Sequence, residues 1–292
     1  MENRLSPDYW RQRDLYEPSN DRNAVLIVGA GSLGSYLAFG LCRMGVRNIT
    51  ITDFDKVEAY NLPNQFFAES LAQPDIYKVL MLKKTLDFMM PNNTLQTLND
   101  DIQTSEDLHR RTYNVIFVAV DSMRVRKWIW DHYKGKEVTI IDGRIGGEFA
   151  NVYCIKTNDS HAWQYYDADI EANTDESIDK VAPLPCTATA VVDVAMAVSA
   201  EMIGRYRHLV KGNIQNMHSF HDYKIGRSEI FQAYPKYAES KDLMAVDQIT
   251  RAGTEPEKEE LPAIMQEIQN QPPVSRIPTT LDELGTEFPV IG

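Results

Sequence analysis

The stretch Ala24–Asp53, "AVLIVGAGSLGSYLAFGLCRMGVRNITITD", decides the fold of this chain. Residues 24–28 are a short apolar run between charge and glycine, the composition of a buried parallel strand. Gly29, Gly31 and Gly34 follow as G-x-G-x-x-G. Leu33, Tyr36, Leu37, Leu41 and Met44 then recur at helical spacing until Gly45, a stop signal. "NITITDF" is a second strand, and Asp53 at its end lies 19 residues after Gly34. The glycines permit a tight turn in which phosphate approaches backbone N–H groups and the helix N-terminus. A carboxylate at Asp53 would accept hydrogen bonds from ribose hydroxyls. The unit therefore predicts nucleotide binding, and by itself it does not separate NAD from ATP, since both carry an adenosine ribose.

Outward from this unit, helical and strand periods alternate. Residues 74–90 read as a helix, "LQTLND" as a weaker strand, 115–120 as a strand, "RVRKWIWDHYKG" as a helix and "EVTIIDGRI" as a strand. The pattern predicts an α/β fold: a Rossmann-like, doubly wound, mostly parallel sheet. It is extended by later antiparallel strands, from "EFANVYCIK" and a hairpin in "NMHSFHDYKIGRSEIFQAY". Residues 157–182 read as a polar, acid-rich loop, and 187–206 as a helix of small apolar residues that packs closely. One domain is expected over 1–240, with a nucleotide-binding half at about 20–145 and a crossover and substrate-channel half at about 146–240. Residues 241–292 read as a flexible, acidic, Pro/Glu-rich tail, extended or disordered.

Composition excludes several classes. The net charge of −12 over 292 residues makes nucleic acid an unlikely partner and disfavours anionic membranes. Cys42, Cys154 and Cys186 are far apart and form no CxxC pair, so neither a disulfide framework nor a zinc ribbon is expected. The opening "MENRLSPDYWRQRD" lacks the apolar core of a signal peptide, and no run of 18 apolar residues suggests a membrane span. A reducing cytoplasm is the simplest compartment.

The segment after Asp53 separates the nucleotides. "DFDKVEAYNLPNQ", Asp53 to Gln65, is similar to D-x-D-x-V-x-x-x-N-L-x-R-Q of the ThiF/MoeB/HesA superfamily of ubiquitin-activating-enzyme-like adenylyltransferases. Four further pieces match in order: "YWRQ" at Tyr9–Gln12, Lys78 in "PDIYKV", "VDSMRVR" at Val120–Arg126, and a cysteine before a small-residue helix in "PCTATAVVDVAMAVSAEMI". The resemblance spans roughly residues 8–230.

It implies ATP- and Mg²⁺-dependent adenylation of a carboxyl terminus by a ThiF-type domain. The expected substrate is the C-terminal glycine of a ubiquitin-like or sulfur-carrier protein or peptide, and a homodimer is expected. By the same resemblance Gly29, Gly31 and Gly34 cradle the nucleotide, Asp53 binds ribose, and Asp55, Asn61, Asn64, Gln65 and Arg126 complete the nucleotide site. Lys78 would meet the phosphates, Asp121 would hold Mg²⁺, and Arg11 would act as an arginine finger reaching into a partner's site. Cys186, near a helix N-terminus that favours thiolate, would accept the activated carboxyl. In "DGRIGGEFANVY", Arg144 with Gly146 and Gly147 could line a channel for the incoming tail, or form an ordinary glycine turn with a salt bridge. Cys42 and Cys154 read as core, and His218 and His221 as structural or surface residues.

Three departures stand out. Asn64 replaces a phosphate-binding arginine, Ser122 replaces the asparagine of the family's D-N pair, and paired zinc-binding CxxC motifs are absent. Asn64 keeps open a non-catalytic member that acts as a binding partner. An NAD-dependent oxidoreductase shares the glycines and Asp53 but leaves Lys78, Asp121 and Asn61–Gln65 unexplained.

Overall fold

A computed structural model describes residues 7–175, 191–213 and 217–232. One eight-stranded sheet organises them, in the order β3-β2-β1-β4-β5-β6-β7-β8. The parallel strands are β1 (Val25–Val28), β2 (Ile49–Thr52), β3 (Leu95–Leu98), β4 (Val115–Val118) and β5 (Thr139–Gly146). β6 (Phe149–Lys156), β7 (Met217–Asp222) and β8 (Arg227–Gln232) continue the sheet antiparallel. The expected architecture, parallel first and antiparallel later, is therefore what the chain adopts.

The helices are α1 (Ser32–Met44), α2 (Lys78–Met89), the short α3 (Glu106–His109), α4 (Met123–Tyr133), α5 (Ser160–Ala172) and α6 (Val192–Val210). They cover both faces, which is why the central strands are apolar at every position. Val25 and Ile27 of β1 face the layer of α1, α2 and α6, while Leu26 and Val28 face α3, α4 and α5. The small-residue helix α6 lies on α1: Ser199 Oγ donates to the Leu33 carbonyl at 3.1 Å, and a Cβ at Gly40 would come within 2.3 Å of Ile203 Cδ1.

Two readings of the sequence need correction. The acid-rich stretch expected as a loop contains α5. Ala162, Tyr166 and Ile170 are buried at a spacing of four, and the Asp159 carboxylate caps the helix by accepting from the His161 N–H. Many acids masked a narrow apolar stripe. Second, Gly146 and Gly147 belong to the tight β5–β6 hairpin, with Gly147 at φ 63°. Arg144, half-buried beside it, is engaged in ion pairs with Asp142 and Asp169, the salt-bridged turn of the two readings left open. The expected tail and Cys186 lie outside the described residues. Among the described residues no helix is long and apolar enough to cross a membrane.

Candidate functional site

The sheet order reverses between β1 and β4, and the crevice beyond their carboxyl ends is where a doubly wound sheet takes a ligand. The glycine turn fills this position. A Cβ at Gly34 would fall 1.8 Å from the Gly29 carbonyl oxygen, and one at Gly29 (φ +98°) would fall 2.5 Å from the Ala119 oxygen. These two glycines let turn, strand and helix close up. Gly31 differs, because a Cβ there would meet nothing within 4 Å. Its backbone borders open space at the N-terminus of α1, the kind of position where N–H groups can meet an anion.

Asp53 locks this turn to β2. Its Oδ2 accepts from the Ala30 N–H at 2.7 Å and its Oδ1 from the Asp55 N–H at 2.8 Å. Burial holds its pKa above the usual carboxylate range, opposed by the Ala30 and Asp55 N–H groups and by the Lys78 charge. Each oxygen keeps a lone pair beyond the backbone bond, so the carboxylate can still accept a hydroxyl.

Lys78 opens α2 and is tied to the same loop twice. Its backbone N–H donates to the Asp55 carbonyl at 2.9 Å, and its Nζ meets Asp55 Oδ2 at 2.7 Å. Burial works against the ammonium, but the Asp55 hydrogen bond and the charges of Asp53, Asp55 and Asp121 outweigh it, and its pKa is raised. Lys78 therefore stays cationic. Asp53, Asp55 and Asp121, all far from Lys78 in sequence, thus lie near enough to it for their charges to favour its ammonium. Asp121 follows β4, is exposed, and is hydrogen-bonded to no other described residue.

Asn61 and Gln65 are buried behind this edge. Asn61 Oδ1 accepts from the Glu58 N–H at 2.9 Å in a capping box, and the Asn61 carbonyl accepts from the N–H groups of Asn64 and Gln65. The Gln65 side-chain oxygen is buried with no hydrogen-bond partner among the described residues. Asn64 is half-buried.

Two expected site residues sit elsewhere. Arg126 is the first. It lies on the buried face of α4 with Met123, Ile129, Trp130 and Tyr133, and its guanidinium is 4% exposed. It donates to Asp142 and to the carbonyls of Val120 and Gly143, so its donors are spent inside the protein. Burial pushes its pKa down to about 9, still cationic at neutral pH. Asp142, fully buried on β5, also accepts from Arg144 Nε at 2.8 Å and from the Tyr166 hydroxyl at 2.8 Å, and Arg144 bridges on to Asp169 at 2.6 Å. Two cations and two carboxylates thus balance beneath the β4–α4 turn. Arg11 is the second. It lies in the 3-10 turn Trp10–Gln12, which is anchored where Gln12 Nε2 donates to the Met44 carbonyl at 2.7 Å. Tyr9 packs there against Gly45, at the far end of α1. A helix of 13 residues separates Arg11 from its own glycine turn, roughly 20 Å at 1.5 Å per residue.

Cys42 and Cys154 are buried, and burial pushes both thiols up to about 12, as inert core thiols should be. Sequence reading missed Asp175, whose carboxylate reaches the first turn of α4. Asp142 and Asp169 were also missed. Nothing local marks an acid as buried.

A doubly wound, mostly parallel sheet with a glycine turn at its switch point and an acid at the end of β2 defines a Rossmann-like α/β protein. Within that class the chain belongs to the ThiF family, whose model matches residues 19–242. It is similar to ubiquitin-like modifier-activating enzyme 5 of Drosophila sechellia, 38% identical over 95 residues, which is 32% of this chain and 23% of that protein. The Drosophila melanogaster protein of that name is 38% identical over 87 residues, covering 30% and 21%. The chain thus spans less than a quarter of the length of these relatives. Among solved structures it resembles PaaA, with TM-score 0.60 and 17% identity over 80% of this chain and 86% of that one. Escherichia coli MccB in a crystal with succinimide matches with TM-score 0.59 and 15% identity over 74% and 66%. A crystal of MccB with ATP matches with TM-score 0.54 and 14% identity over 73% and 64%.

Proposed function

We propose that the chain adenylates a carboxyl terminus with ATP. The observation that carries this is Asp53 hydrogen-bonded to Ala30 of the open glycine turn, with Lys78 salt-bridged to Asp55 beside it and near enough to Asp121 for that charge to act on its ammonium. A ribose needs the acid at Asp53, but a nicotinamide cofactor has no use for a lysine and a second exposed acid at the phosphate end. In the proposed reaction a substrate carboxylate oxygen attacks the α-phosphorus of ATP. The bond from that phosphorus to the bridging oxygen breaks, and pyrophosphate leaves with an acyl-adenylate as the other product. Charge builds on phosphate oxygens, where the fixed ammonium of Lys78 and the N–H groups around Gly31 would meet it. Mg²⁺ would be held by Asp121, a hard oxygen donor of the kind this ion takes once or twice from protein, and would supply further positive charge.

The substrate class is the C-terminal glycine of a ubiquitin-like or sulfur-carrier protein. Support comes from the ubiquitin-like modifier-activating enzymes of Drosophila that match about a third of the chain, and from MccB, crystallised with ATP and with MccA. Arg11, too far from its own turn, would serve the site of a second subunit in a homodimer. In a cytoplasmic, reducing setting the Cys186 thiol would then lose its proton and take the acyl group as a thioester, the bond from the acyl carbon to the phosphate oxygen breaking and AMP leaving. A non-catalytic partner role is the second reading, favoured by Asn64 at the arginine position.

The test is ATP–pyrophosphate exchange with proteins or peptides ending in Gly-Gly. Exchange should require such a partner and fall by about 10²-fold or more in Asp121→Ala and in Lys78→Ala. Cys186→Ala should still exchange and form no thiol adduct. Thermal stabilisation by NAD but not by Mg·ATP would overturn the proposal.

A further inference from the structure

Asp175, just beyond α5, binds the start of α4 from 52 residues away. Its Oδ1 accepts from the Met123 N–H at 2.5 Å, and its Oδ2 accepts from the Ser122 hydroxyl at 3.2 Å and the Arg124 N–H at 3.3 Å. The helix already has a local cap, since Ser122 Oγ accepts from the Val125 N–H at 3.4 Å. The donors left over in the first turn are those of Met123 and Arg124, and they attract the nearest acid. In sequence that acid is Asp121, the residue before the cap. Without Asp175, the Asp121 carboxylate would be drawn onto these amides as a substitute cap. With Asp175 in place, Asp121 stays exposed and hydrogen-bonded to no other described residue. On its other flank, Arg126 Nη2 holds the Val120 carbonyl. Both neighbours of Asp121 are therefore fixed while its own side chain is left available.

We infer that Asp175 is a positioning residue for the cation site: it occupies the α4 amides so that the Asp121 carboxylate remains free for Mg²⁺. This rests on the assignment of Asp121 under the proposed adenylation. Asp175 itself touches neither nucleotide nor substrate in this scheme.

The test uses the full chain with saturating ATP and titrates Mg²⁺, following thermal stabilisation. Asp175→Ala should raise the Mg²⁺ midpoint about tenfold, the size of effect that loss of a ligand-orienting contact has at metal sites. Asp175→Asn keeps a side-chain oxygen that can cap the amides, and should stay close to wild type. Should Asp175→Ala fail to fold, Asp175→Glu, whose longer stem displaces the carboxylate, should show the raised midpoint. A contact that merely holds the fold would lower the nucleotide-free melting temperature and leave the Mg²⁺ midpoint unmoved, which overturns the inference. Equal shifts in the Ala and Asn variants would also overturn it, because occupancy of the amides would not be the cause. Failure of wild type to respond to Mg·ATP at all would instead sink the adenylation reading on which it stands.

Discussion

Asp53 and Arg126 belong to motifs of the same kind, and the fold treats them in opposite ways. Asp53 sits at the end of a strand beside a glycine turn, a place that sequence periodicity can locate. Its place beside the glycine turn was legible, although its bonds to Ala30 and Asp55 were not. Arg126 lies on a helix, and which side of that helix is buried depends on the sheet beneath. It turns inward to meet Asp142, 16 residues later on β5. His218 is a similar case. Its ring is stacked on Tyr153 at 4.0 Å, with Nδ1 accepting from the Tyr165 hydroxyl at 2.6 Å and Nε2 donating to Asn151 Oδ1 at 2.7 Å. Burial pushes its pKa from the ordinary 6.5 down to about 4; Asp169 and Glu201 pull it upward, while Arg144 and His221 reinforce the drop. The folded state thus binds fewer protons than the unfolded state between these values. The stabilisation is complete above about pH 6.5 and is lost as pH falls through that value toward about 4, costing about 3 kcal/mol at 1.4 kcal/mol per unit. Denaturant titrations between pH 7 and 4 should show this slope in wild type and a shallower one in His218→Gln.

At the scale of elements, the glycines of α1 make a contrast that stability can measure. At Gly34 a Cβ would run into the backbone oxygen of Gly29, which no side-chain rotation relieves. Gly34→Ala should therefore cost about 3 kcal/mol or more, or prevent folding. At Gly40 the obstacle is Cδ1, the tip of Ile203, which can rotate away. There the gain in helix propensity, about 1 kcal/mol for Gly to Ala, should offset the repacking, so Gly40→Ala should lie within about 1 kcal/mol of wild type. Chemical denaturation of the two variants checks both statements. The glycine spacing was legible, and so was the close packing of the small-residue helix. That α1 is what α6 packs against was not, because the partner lies more than 150 residues away. α5 was missed because a stripe of three buried residues is weak against so many acids.

At the scale of the whole molecule, the placement of Arg11 has the largest consequence. The N-terminal turn docks on the end of α1 opposite the glycine cradle, so Arg11 would serve catalysis only in a second subunit. Mixing Arg11→Ala with Lys78→Ala subunits should then restore pyrophosphate exchange above that of either variant alone, since a mixed dimer keeps one intact site of the two. Absence of any recovery, with mixed dimers demonstrated by tagged pull-down, would place Arg11 outside the reaction.

The sequence by itself determined the strand–turn–helix–strand unit, the family and the later change from parallel to antiparallel strands. These rest on local rules: periodicity, glycine at turns and acids at strand ends. Only the tertiary structure decided which cations face the crevice and which are buried. It brought Asp121 near Lys78, spent Arg126 and Arg144 on the carboxylates of Asp142 and Asp169, and placed Asp175 on a helix formed 52 residues earlier. The reason is physical. A charge is placed by what covers it, and what covers it is chain from elsewhere.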